Sequence, residues 1–397
     1  MEFPIIILTV FLLIALTRVV TVIIHELGHA AAGLLLFKGQ ISIYIGSYGN
    51  PKNGIHFKVG RLAIHFKYNP LFWGHGLCTS DTKEISYTQG YLFTLAGPLA
   101  SLIMGILSLC VLINPESHGA LKVVSLFLLF SSLFDFLLNI RPNDNPIFLH
   151  DGTLTYNDGQ TLKLLGKYRN VYKEITLLRQ YYENGEIEKG ILFFEESYSR
   201  KPDPNLLRAG IEMNIKAQNF AKALDMFQQL QNEDELSHID YCNLGLAHSY
   251  DQQHIKALAY YNKSLEMNPE SFYSLNNRGY TLNLLEKYQE AMRDFNKAIE
   301  LNPRFAYAYN NRGLSKIKLG DTEGGLYDIE KSMQLDSTNS YAFKNLGIYH
   351  KDKGDLDEAM KLFIQAGDYD ANTDGLHDLI LETEKEIKDN YKNTETT

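Results

Sequence analysis

Cysteine is nearly absent from this sequence: Cys78, Cys110 and Cys242 are the only three in 397 residues. They are too few and too scattered for a disulfide framework or a zinc site built of thiolates alone. Tryptophan occurs once and proline 11 times, so collagen-like and low-complexity classes are excluded as well. Basic charge is also short, with 38 Lys and Arg against 47 Asp and Glu for a net charge of −9. Nucleic-acid binding needs a concentrated basic surface, and this balance argues against it. With a mean hydropathy of −0.20, the chain reads on average as an acidic soluble protein, long enough for two or three domains.

The average conceals two opposite parts. Residues 1–140 carry eight basic and six acidic side chains, a charge of +2, and the remainder carries −11. Residues 3–37 contain no charged side chain except Arg18 and Glu26, with His25 and His29 beside the latter. A bilayer core takes about 20 apolar residues; this run is longer, so as one helix it must tilt, project or break. No basic segment precedes it, and it outruns the apolar part of a signal peptide. Residues 90–113 form a second uncharged run, and 121–140 a third, interrupted only by Lys122 and Asp135. The short turn NPESHGA between them makes this pair an antiparallel transmembrane hairpin. Gly97, Ala100, Ser101 and Gly105 are small residues that allow close helix contact.

Three spans follow, and the Lys and Arg bias orients them. Six basic residues lie in the loop 38–89, and Arg141, Lys163, Lys167 and Arg169 follow the third span. The positive-inside rule places that loop and the C-terminal part in the cytoplasm, with the N-terminus outside, as an odd number of spans requires. Within the loop, 41–46 and 54–68 alternate β-branched and aromatic residues between Gly, Asn and Pro, the pattern of two or three strands of a small sheet. His56, His65 and His75 in this loop read as surface or hydrogen-bonding residues.

His25-Glu26-Leu27-Gly28-His29 is an HExxH. On a helix, i and i+4 share a face, so both imidazoles reach one zinc ion, and Glu26 falls beside them as a base for water. Zinc lowers the pKa of water to about 7, which makes such chemistry accessible at neutral pH. Ionisable groups inside an apolar run cost several kcal/mol unless they bind or pair with something. Arg18, two turns earlier on the same face, has the reach to pair with a carboxylate or to snorkel. A catalytic zinc ion needs a third protein ligand and an open position; Asp135, Asp144, Asp151 and Asp158 supply the choice.

HELGHA in the first span, AGPLA (96–100) in a later one, and an Asn-x-x-Pro (Asn139 to Pro142) followed by Asp-Gly together resemble the site-2 protease family of intramembrane zinc metallopeptidases. The resemblance spans about residues 15–165, with the loop 38–89 resembling the family's membrane-associated β region. It implies His25 and His29 as metal ligands, Glu26 as the catalytic residue, Zn2+ as cofactor, a membrane-spanning protein as substrate, and an Asp-Gly aspartate as third ligand. Two Asp-Gly pairs follow the third span. Asp158 is preferred because NDGQTLKLL opens a helix-like apolar pattern; Asp151 is the runner-up, and Asp144 and Asp135 rank below.

From about residue 171 the sequence repeats every 34 residues. Gly245, Gly279, Gly313 and Gly347 share one position, Ala257, Ala291, Gly325 and Ala359 a second, and Tyr261, Phe295, Ile329 and Phe363 a third. Pro269 and Pro303 mark repeat ends. This is tetratricopeptide spacing, a helix pair with a small residue at its crossing. Weaker units around Ala223 and Phe227, and around Gly190 and Phe194, bring the count to five or six over 171–375. Tyr307 to Asn311 (YAYNN) falls on a first helix, on the concave face in this repeat class, and reads equally as core or as contact for a protein or peptide partner. Residues 376–397 read as a capping helix that frays.

The expectation is a mainly α protein: a polytopic helical core with a small β insertion (1–165), then a tetratricopeptide solenoid. Its function is expected to be that of a zinc-dependent intramembrane endopeptidase in the bilayer, with cytoplasmic repeats recruiting substrate or regulator. The alternative is an inactive, membrane-anchored repeat adaptor.

Overall fold

In the computed structural model, which describes residues 2–82, 84–143, 146–150 and 154–395, the chain divides into two compact units, Met1–Thr176 and Leu177–Thr397. The first unit opens with α1 (Glu2–Leu36), a continuous helix of 35 residues and so about 52 Å long. The long apolar run therefore does not break. β1 (Ile41–Ile45), β2 (Gly54–Val59), β3 (Leu62–Lys67) and β4 (Gly76–Ser80) follow, in a four-stranded sheet of order β2-β3-β1-β4. β1 is parallel to β3 and antiparallel to β4. Its alternate residues Ile41, Ile43 and Ile45 are buried with Val22, Ala30 and Phe37 of the α1 region and Cys78 of β4, so the sheet's apolar face packs on the helix.

α2 (Tyr87–Ile113) starts at a capping box of Ser86 and Gln89, and α3 (Gly119–Ile140) returns alongside it. α1 over Pro4–Leu36, α2 and α3 are long and apolar enough to cross a membrane. They are polar inside and apolar outside: Thr17, Thr21, Ser101, Ser108, Ser125, Ser132 and Asp135 are buried, while Phe11, Ile103 and Phe134 are more than half exposed. A short ribbon of β5 (Ile147–Phe148) and β6 (Leu154–Thr155) leads into α4 (Asp158–Tyr168) and α5 (Tyr172–Glu183).

Beyond α5 the chain is helical hairpins: α6 (Ile187–Arg200), α7 (Pro204–Lys216), α8 (Phe220–Glu233), α9 (His238–Tyr250), α10 (His254–Met267), α11 (Phe272–Leu284), α12 (Tyr288–Leu301), α13 (Ala306–Lys318), α14 (Thr322–Leu335), α15 (Ser340–Asp352) and α16 (Leu356–Tyr369), closed by α17 (Leu376–Glu395). The last helix continues through most of the stretch expected to fray. The 34-residue pattern has a steric cause. A Cβ on Gly245 or Gly279 would lie 2.7 or 2.6 Å from the ring of Tyr261 or Phe295, and one on Gly347 2.5 Å from Phe363. Where the aromatic becomes Ile329, the partner small residue becomes Gly325, and α13 and α14 meet backbone to backbone: a Cβ on Gly313 would lie 2.7 Å from the Gly325 carbonyl.

Polar ladders tie one repeat to the next. Arg278 grips Asp294 of its own hairpin through two hydrogen bonds of 2.7 and 2.6 Å and reaches back to Asn262 of the preceding one at 2.7 Å. Likewise, 34 residues on, Arg312 grips Asp328 and reaches back to Asn296 at 2.8 Å. The asparagines of YAYNN are buried between helices: Asn311 donates to Asn276 at 3.1 Å, and Asn345 donates to Asn310 at 2.9 Å. Of that stretch, Tyr307 is the residue left well exposed.

Tyr250, Tyr280, Tyr341 and Lys344 meet the turn after α16. The Lys344 ammonium donates to the Asp374 carbonyl at 2.8 Å, and the Tyr280 hydroxyl donates to its carboxylate at 2.6 Å. From the far side, Lys216 pairs with Asp370 at 3.3 Å and Gln218 donates to the Asn372 carbonyl at 3.0 Å.

Two outcomes test this packing. Gly279→Ala gains about 1 kcal/mol of helix propensity but overpacks a boxed-in ring at about 1–3 kcal/mol. It should therefore destabilise the repeat unit in urea unfolding, whereas Gly367→Ala, whose Cβ would meet only Leu376 at 3.7 Å, should stabilise it. The same sign for both would refute the steric account. Burial lowers the Lys344 ammonium to about 8, partly offset by Asp374. The unfolded chain then binds more protons between that value and the ordinary lysine value, so stability rises with pH from about 8 to 10, by at most about 3 kcal/mol. Above that window the buried hydroxyls of Tyr280 and Tyr341, pushed up by burial, reverse the trend. Thermal unfolding should show the rise in the native sequence and lose it in Lys344→Met.

Candidate metal centre

HELGH occupies the C-terminal half of α1, where a 3.6-residue turn stacks His25 and His29 on one face. Their Nε2 atoms lie 3.2 Å apart. Asp158, at the first position of α4, closes the group: its carboxylate oxygens lie 3.0 Å from His25 Nε2 and 3.4 Å from His29 Nε2. One ligand atom from each of the three residues falls within 4.8 Å of the others. Asp151 and Asp144 lie outside the described residues.

Asp158 is placed by its neighbours in sequence. The Asn157 side-chain amide donates to the Leu138 carbonyl at 3.1 Å and the Arg141 carbonyl at 2.7 Å, while its oxygen accepts the Gln160 N–H as the cap of α4. The start of α4 is thereby tied to the end of α3. Gly159 is required at this seam because a Cβ there would collide with the Ile140 carbonyl. The helix N-terminus also favours the Asp158 negative charge.

Close approach explains the AGPLA motif as well. A Cβ on Gly28 would lie 2.5 Å from the Ala96 carbonyl and 2.6 Å from Ala100, so α1 and α2 cross at small residues. Gly97 faces the two imidazoles; a Cβ there would strike His29 Nε2 and lie 2.7 Å from His25 Nε2. Each imidazole is anchored through its other nitrogen. His29 Nδ1 lies 2.7 Å from the Phe93 carbonyl, which can only accept, so Nδ1 donates and Nε2 is the nitrogen turned to Asp158. His25 Nδ1 lies 2.8 Å from Asp135 Oδ2. Asp135 also receives Ser101 Oγ at 2.7 Å and the Arg18 guanidinium at 2.5 Å. The reach of Arg18 was visible as two helical turns; its partner, on another helix, was not.

Glu26 is buried beside the histidines, and its Oε2 has no hydrogen-bond partner among the described residues. Its other side meets β4, where a Cβ on Gly76 would lie 2.7 Å from the Glu26 side chain. β4 is thus a wall of the site that the sequence reading omitted, since GLCTS lacks a run of strand-forming residues. His56 and His65 pair across β2 and β3 at 2.7 Å, outside this cluster.

The donor set suits a divalent ion of zinc type: two imidazole nitrogens and one carboxylate, with a fourth direction left open by Gly97. The outer anchors are of the kind that orient metal-binding histidines, and the Glu26 carboxylate lies buried beside them.

Family models described as tetratricopeptide repeat match residues 272–305 and 241–271. With the helix pairs and glycine crossings above, that decides the second unit. The repeats are tetratricopeptide repeats. No curated protein matches the chain. Similar solved structures include YrrB, a tetratricopeptide protein with an unusual peptide-binding site (18% identity over 43% of this chain and 88% of that one, TM-score 0.33). Others are a repeat protein from Parabacteroides merdae ATCC 43184 (18%, 57% and 91%, 0.45) and the Cut9–Hcn1 hetero-tetramer of APC/C (14%, 75% and 67%, 0.45).

Gly97→Ala should lower zinc affinity by roughly tenfold or more without loss of helix content, read as zinc per chain by elemental analysis of the purified protein. Full zinc loading of that variant would count against the cluster as a metal site.

Proposed function

We propose that the protein is an intramembrane zinc endopeptidase whose tetratricopeptide repeats recruit a protein substrate or regulator. One observation carries this reading: His25, His29 and Asp158 offer three converging ligand atoms, with the buried Glu26 carboxylate alongside. Three apolar helices with polar interiors and apolar exteriors support a bilayer setting, because lipid favours that inversion. The lysine and arginine bias supports a cytoplasmic side for the loop and the repeats.

When bound, zinc would polarise the scissile carbonyl and make water more acidic. Glu26 takes a proton from water as the water oxygen joins the carbonyl carbon. It returns that proton to the amine nitrogen as the C–N bond breaks. Asp158 and the two histidines hold the ion, and the burial of both imidazoles and of Glu26 keeps bulk water away from them. The scissile segment of a membrane-spanning substrate has to be unwound there, since a helix hides its carbonyls in hydrogen bonds.

A second reading is favoured by the family matches, both of which fall in the repeats. Repeats of this type commonly bind protein or peptide partners, and the chain would then be a membrane-anchored adaptor that holds a partner without cutting it. Glu26→Gln separates the two. The endopeptidase reading expects the variant to co-purify with an intact membrane protein that the native enzyme, loaded with zinc, then cleaves, with the variant slower by about 100-fold or more. Equal cleavage by both, or capture with no cleavage by either, would leave the adaptor.

A further inference from the structure

Asp135 stands apart from the ligand set yet touches it. It lies near the end of an apolar helix, 1% exposed, and its two carboxylate oxygens are divided between two tasks. Oδ2 faces His25 Nδ1 at 2.8 Å and accepts Ser101 Oγ at 2.7 Å, while Oδ1 accepts the Arg18 guanidinium at 2.5 Å. Its backbone carbonyl accepts the Asn139 amide at 3.0 Å, fixing the last turns of α3.

We propose that Asp135 is a positioning residue for the metal centre, holding His25 in the tautomer whose Nε2 lone pair faces the ion, with Arg18 as its counter-charge. The inference rests on the zinc reading above. An ionised carboxylate has no proton to give, so a contact at 2.8 Å puts a proton on His25 Nδ1 and leaves Nε2, the nitrogen turned to Asp158, as the one an ion would take. His29 reaches the same state through the Phe93 carbonyl. The two ligands are therefore oriented alike by different acceptors, one neutral and one charged, and the charged one also makes its imidazole a stronger donor to the ion.

Charge explains why Arg18 completes the arrangement. Glu26, Asp135 and Asp158 bring three negative charges into apolar surroundings; a divalent ion leaves one of them uncompensated, and Arg18 supplies the balance. Net charge in such a setting costs several kcal/mol, so an arginine inside the first helix is tolerated where a carboxylate meets it.

The experiment measures zinc affinity by chelator competition on the intact protein in detergent, together with the visible absorption of the cobalt-substituted form. Asp135→Asn should bind zinc 10–100-fold more weakly and shift the cobalt spectrum. A purely structural ion pair between α1 and α3 would instead change only the unfolding of the metal-free protein. Ser101→Ala removes one hydrogen bond to the same oxygen while leaving the ion pair intact, and should weaken zinc about fivefold. If Asp135→Asn does not accumulate, this second variant decides the matter. Native affinity and a native cobalt spectrum in whichever of the two is isolated would overturn the proposal. Asp158→Ala keeps the two readings apart: failure of the native protein to bind zinc, or undiminished binding by this variant, removes the metal site itself, whereas zinc binding that depends on Asp158 but not on Asp135 removes only the positioning role.

Discussion

The arrangement of the first unit depends on how closely α1 and α2 approach at Gly28, Ala96, Gly97 and Ala100. Side chains of any size at these positions would separate the helices, and the consequences would extend well beyond packing. The Phe93 carbonyl would no longer reach His29, and the Ser101 hydroxyl would no longer stand 3.3 Å from His25 Nδ1. Small residues in a helix forgo apolar contact area. Here their return is polar: they let backbone and hydroxyl groups meet imidazoles at hydrogen-bond distance in surroundings where an unmet polar group is costly.

The same principle governs the seam between α3 and α4. Asn157, Asp158 and Gly159 act as one device: the first binds the end of α3, the last allows the contact, and the aspartate between them is delivered to the histidines. A ligand carried on a helix capped in this way is held by hydrogen bonds on both sides, so its position is set before any ion arrives.

The sequence made local periodicities legible and left cross-chain meetings hidden. HELGH reads as one helical face because its spacing is the helix period, and the solenoid reads as 34-residue repeats because each glycine must face an aromatic ring. Asn157-Asp158-Gly159 was visible as a helix start, which is why Asp158 ranked above Asp151. The partnership of Asp135 with His25 and Arg18 was not visible, since it joins residues more than 100 positions apart on different helices. β4 escaped for a related reason: a five-residue edge strand with Gly and Cys has little propensity of its own and is held by its pairing to β1 and by the packing of Cys78. In the repeats, the asparagines of YAYNN looked as suited to a ligand as to the core. Their hydrogen bonds to the preceding and following repeats show that they hold the solenoid together.

The contacts of Lys216 and Gln218 with the turn after α16 alter the mechanics of that solenoid. A linear repeat array transmits force and unfolds as a chain of neighbours, peeling from either end with each unit answering only to the next. Here the end of α7 is joined directly to the turn that follows α16, which converts a spring into a clasped ring. Stretching it requires the clasp to release first, and until then strain applied at one end is felt at the other without passing through the hairpins between.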